Sequence, residues 1–165
     1  MEQKGLDLAK SVGMGMPIII DTGHREGMRM RDFGEFSEPS SFKNALLVEC
    51  GQHWEKSSEP IAIETMVRFI RNTNIMGKEF GLEYLSETIE NSKIPSLKVG
   101  KIITIKTDKF RFEKDWQGFD CLKKGQIIGY DGEEVIEAPY DQTYLIMPSK
   151  RLFIGKTAVR LAYPV

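Results

Sequence analysis

A carboxylate and an imidazole fall close together in Asn44-Ala45-Leu46-Leu47-Val48-Glu49-Cys50-Gly51-Gln52-His53-Trp54-Glu55. The four apolar residues Ala45 to Val48, closed by Gly51, predict a strand buried on both faces of a parallel sheet, with Glu49 at its carboxyl end. In an open α/β sheet that end faces the ligand crevice, where a carboxylate sheds solvent and its pKa rises toward the range of a general base. A strand-end glutamate held in a salt bridge is the competing reading, since ion-pair networks perturb acids too. His53, two residues past Gly51, lines the same crevice or is a satisfied structural group. Cys50 alternates to the other strand face, so a nucleophile role is not expected of it.

Residues 44–53, with the apolar helix predicted after them, resemble the region around the catalytic glutamate of the succinylglutamate desuccinylase/aspartoacylase family, within the zinc carboxypeptidase superfamily. Leu122-Lys123-Lys124-Gly125-Gln126-Ile127-Ile128-Gly129 and Glu137-Ala138-Pro139-Tyr140-Asp141 are similar to that family's small β domain, so the likeness covers nearly the whole chain. The resemblance implies a zinc-dependent deacylase that hydrolyses the amide bond of a small anionic N-acyl amino acid. Glu49 would be its general base, activating water and returning the proton to the leaving amine. Arg31, and close behind it Arg29, match the family's substrate-binding arginine region; a guanidinium fork suits a carboxylate, although a surface arginine in a loop is the plain alternative. Tyr140 corresponds to a tyrosine that the aspartoacylase branch brings from the β domain as a hydrogen-bond donor, with Tyr144 the other choice.

The zinc half of that picture is missing from the motifs. The family holds zinc with a His-x-x-Glu pair and a later His, and a catalytic site takes three protein ligands. This chain has two histidines, and Thr22-Gly23-His24-Arg25-Glu26 sets its Glu at the wrong spacing. His24 therefore reads as a solvated or substrate-facing loop residue. The expectation is the C-terminal part of such an enzyme: Zn2+ belongs to the complete protein with no ligands here, and the chain is inactive alone. It would assemble with the missing half or with another copy of itself.

Bulk properties narrow the partners. The chain has 165 residues and a formal net charge of −1, enough length for one domain or two small ones and no basic excess for nucleic acid or a membrane surface. No apolar run of about 18 residues and no leader pattern appears, so a cytoplasmic location is expected. Cys50 and Cys121 read as reduced thiols.

The periodicity divides the chain into a partial α/β domain over 1–77, a connector over 78–95 and a small β domain over 96–165. In the first, Leu6, Leu8, Ala9 and Val12 predict a helix ending at Gly13, Pro17 to Ile20 a short strand, and 27–43 a polar loop of the kind that often carries function. Pro60 opens a helix, capped by Ser58 or Glu59, whose buried stripe is Ile63, Met66, Val67 and Ile70. Beyond Pro95 short alternating runs, at 103–105, 110–112, 127–128, 135–136 and 144–146, predict a compact barrel or sandwich. The fold class is thus the tail of a zinc-carboxypeptidase-like α/β sheet domain followed by a β barrel or sandwich.

Two other functions fit parts of this pattern. One is a non-catalytic interaction fragment of the same fold. The other is a biotinyl- or lipoyl-type carrier module, for which Thr107-Asp108-Lys109 echoes an acceptor tripeptide. Lys109 lies far ahead of Ala138 and is followed by bulky Phe110, so it reads as a solvated turn residue.

Overall fold

The computed structural model describes residues 2–21, 27–51, 54–87 and 92–165. It is a mixed α and β chain with more strand than helix, in two compact units: residues 1–16 with 23–93, and residues 17–22 with 94–165.

The first unit is helical among its described residues. Helix α1, Glu2–Val12, ends at Gly13, whose φ of +65° turns the chain out of the helix. Helix α2, Ser58–Asn72, starts two residues before Pro60, where a missing N–H costs nothing. Its buried residues are Thr65 and Val67, whereas Met66 is exposed. Short 3-10 turns occupy 30–32, 34–36 and 82–84. Around the first two, the Lys4 ammonium donates to the carbonyls of Glu38 at 2.7 Å and Lys43 at 2.6 Å and more weakly to that of Ser41, while Asn44 Nδ2 donates to Lys4 O.

No strand forms over 45–48, which corrects the first expectation. Ala45 is buried but Leu47 is 59% exposed, so the run does not have two covered faces. The physical reason is pairing: an apolar run becomes a central strand only when neighbouring strands take up its backbone groups. The described part of this unit has none. Of the α/β domain expected over 1–77, the described residues form one short strand, Ile19–Ile20, which belongs to the second unit.

The second unit holds every strand among the described residues: β1 Ile19–Ile20, β2 Leu97–Thr104, β3 Arg111–Phe112, β4 Cys121–Leu122, β5 Ile127–Asp131, β6 Glu134–Glu137, β7 Thr143–Ile146 and β8 Thr157–Pro164. One sheet runs in the order β1-β2-β8-β7-β4, the other in the order β3-β5-β6. Among these strands β1 pairs in parallel with β2, Ile19 with Leu97, and the other pairs are antiparallel. Both sheets feed one core: Ile103 from β2, Leu145 from β7 and Leu161 from β8 cluster with Ile128 from β5 and Ile136 from β6, around Phe110 and Trp116. The Trp116 indole N–H donates to Ile128 O at 2.7 Å, so its one polar atom is satisfied in the apolar interior. A smaller core of Leu97, Ile146 and Ala162 packs with Ile19, Val99 and Tyr144.

Candidate functional site

In the first unit the chain reaches Glu49 from Asn44, whose side-chain oxygen accepts from the Ala45 N–H at 3.0 Å. Glu49 is exposed and Cys50 half-buried. An exposed carboxylate keeps its solvent, so the desolvation expected of a strand-end acid is not what this unit provides. Gly51 has a φ of +120°, where side chains strain, and a Cβ there would come within 2.6 Å of Ser58 Oγ in the first turn of α2. The turn that carries Glu49 thus closes tightly on that helix. Gln52 and His53 lie outside the described residues, as do Thr22 to Glu26 with His24.

Arg29 and Arg31 flank a shared acid in the same unit. Arg29 Nε donates to Asp32 Oδ2 at 2.5 Å, and Arg31 Nε lies 3.6 Å from Asp32 Oδ1. Both guanidiniums are half-buried beside this carboxylate, so an incoming anion would compete with Asp32 for either one. Glu64 on α2 is likewise committed. It accepts from Arg68 at 2.7 and 2.9 Å and from the Ser86 hydroxyl and N–H at 2.7 and 3.0 Å. Burial works to raise its pKa, but the Ser86 and Arg68 hydrogen bonds outweigh it and hold the carboxyl below its usual range.

In the second unit Tyr140 lines an open cleft of about 590 Å³ with Lys124, Pro139, Asp141, Gln142 and Tyr163. Its backbone is pinned by Thr143, a fully buried threonine on β7: Tyr140 N–H donates to Thr143 Oγ1 at 3.0 Å, and that hydroxyl donates to Tyr140 O at 2.9 Å. The Tyr140 and Tyr163 rings are tilted by 56° with centroids 4.8 Å apart. Tyr144 instead packs into the smaller core and pairs across strands with Cys121. Burial, with the Cys121 thiol beside it, pushes the Tyr144 phenol above its usual range. Sequence reasoning passed over Tyr163 and Lys124. The mid-strand glycine Gly100 was the available signal, since a glycine inside a strand marks a bulge or a close approach of another group.

Among the described residues, which do not include His24 or His53, no three His, Cys, Asp or Glu side chains are grouped so that they could hold a metal ion. Among the described residues, no helix is long and apolar enough to cross a membrane.

The fold is similar to that of two solved proteins. Against the succinylglutamate desuccinylase of Vibrio cholerae the TM-score is 0.57 at 13% identity, covering 96% of this chain and 44% of that one. Against the succinylglutamate desuccinylase of Vibrio parahaemolyticus it is 0.55 at 14% identity, covering 98% and 44%. The chain spans less than half the length of these proteins. At such identity the likeness is one of fold. No protein-family profile and no curated protein matches the sequence.

Proposed function

We propose that this chain is part of an amide hydrolase of the desuccinylase type, acting on a small anionic N-acyl amino acid. The observation that carries the reading is the fold likeness to two desuccinylases over 96% and 98% of the chain. The order of residues 44–53 agrees with it. Glu49 takes a proton from the attacking water and delivers it to the amine as the amide C–N bond breaks, giving a carboxylic acid and a free amino acid. Arg31 or Arg29 engages a substrate carboxylate, and Tyr140 and His53 are further candidates for substrate binding. The zinc of the complete enzyme has no ligand set among the described residues, so it enters no step here.

Hydrolysis of N-succinylglutamate by the chain, purified with whatever it assembles with in its own cells, tests this. Replacing Glu49 with Gln keeps shape and hydrogen bonding while removing the base, and turnover should fall by about 100-fold or more. Near-normal turnover in Glu49→Gln would remove Glu49 from the role. The chain on its own should hold no stoichiometric zinc; metal analysis finding one zinc per chain on His24 or His53 would overturn that expectation.

A second reading, a non-catalytic module of the same fold, is favoured by the exposure of Glu49 and the lack of a metal-donor trio among the described residues. Absence of turnover in every assembly, with partner binding retained in Glu49→Gln, would select it.

A further inference from the structure

Gly100 stands where β2 gains an extra residue. Val99 pairs with Ala162 and Lys101 with Leu161, so Gly100 is the bulged position between them. Its φ lies outside the left-handed region, and nothing in the backbone demands glycine. The demand comes from the space above it. A Cβ at 100 would overlap the hydroxyl oxygen of Tyr140, approach its Cζ to 3.0 Å and approach Tyr163 Cε1 to 2.9 Å. The Tyr140 backbone cannot retreat freely, because Thr143 holds both its N–H and its carbonyl.

We propose that Gly100 is a positioning residue for Tyr140: the bare backbone of the β2 bulge is the notch into which the phenol end of that ring fits, and this fixes its tilt against Tyr163. The notch sets the shape of the cleft that the two rings wall. Its importance for chemistry rests on the reading of Tyr140 as a substrate contact.

The test uses the full chain carrying Gly100→Ala, with Gly118→Ala as control, since a methyl group at 118 would meet nothing within 4 Å. NMR of the tyrosine rings should show the Tyr140 signals moved and the cross-peaks between the Tyr140 and Tyr163 rings abolished in Gly100→Ala, with signals and cross-peaks both retained in Gly118→Ala. Unmoved Tyr140 signals in Gly100→Ala overturn the proposal, as does an equal movement in Gly118→Ala. If Gly100→Ala does not fold, Tyr140→Ala is added to it: recovered folding supports the notch, and continued misfolding overturns it. Titration with N-succinylglutamate separates the two ideas. With Tyr140 a substrate contact, Tyr140→Phe and Gly100→Ala each weaken binding by about 10-fold, the worth of one hydrogen bond, and the double variant weakens it no further. Undiminished binding in Tyr140→Phe, or no binding by the unsubstituted chain, counts against the functional reading, while the ring signals still decide the notch.

Discussion

Asp131 shows how much one carboxylate can organise. It is buried at the end of β5 and accepts three hydrogen bonds, from the N–H groups of Lys106 and Thr107 at 2.7 and 2.9 Å and from the Thr107 hydroxyl at 2.6 Å. Burial works to raise its pKa, but these bonds, with the nearby Lys106 charge, outweigh it and hold the carboxyl below its usual range. A carboxyl with a lowered folded pKa contributes stability that is complete above its unfolded pKa, near 3.8, and lost as the pH falls through the folded value. Asp131→Asn turns an amide toward three donors, and should cost about 1–3 kcal/mol at pH 7. The gap to the unsubstituted chain should close in urea titrations repeated below about pH 4. A gap independent of pH would mean that shape rather than charge is what Asp131 supplies. Asp131-Gly132 and Thr107 to Lys109 are both legible in sequence as turns. Their union is not, because hydrogen bonds spanning 24 or 25 positions leave no local pattern. Glu49 has the same limit, its residue type being readable and its solvation not.

At the scale of elements, legibility followed local signals. Helix α1 with its glycine terminus, and α2 with its early proline, are written in nearby residues. The alternating runs of β2, β6 and β7 are as well. Strand β8 carries no such signal, because it lies between β2 and β7, and its paired buried residues Ala158-Val159 and Leu161-Ala162 break the two-residue period. The Ala45 to Val48 run has the composition of such a strand and lacks the neighbours. What fixes the segment before it is a charge from another element: the Lys4 ammonium on α1 gathers the carbonyls of Glu38, Ser41 and Lys43, more acceptors than a chain of turns could satisfy internally. Lys4→Met preserves helix propensity and removes the donors. Faster protease cleavage and amide exchange over 34–44 should follow, at a cost of about 1 kcal/mol. Unchanged exchange there would assign the order of that segment to the Lys43 and Glu35 ion pair instead.

Across the whole molecule the apolar side chains are unevenly spent. Of the 18 buried apolar residues among the described ones, only Val12, Ala45 and Val67 belong to the first unit, which nonetheless exposes Met28, Met30, Phe33, Phe42, Leu47 and Trp54. Phe42 and Trp54 are 105% and 76% exposed. Apolar surface on that scale, in a unit with so small a core, favours a partner. We therefore expect the chain to associate with itself through the first unit when no other partner is supplied. Light scattering should report a mass that rises with concentration. The double substitution Phe42→Ser and Trp54→Ser should lower it, while hardly affecting the fold, because exposed side chains contribute little to monomer stability. The second unit should melt cooperatively in both proteins, since its two-sheet core draws on none of these residues. A chain that stays monomeric at the highest accessible concentration would overturn this expectation and show that the exposed apolar side chains do not drive self-association. Association that survives both substitutions would move the interface to the exposed Met66 side of α2.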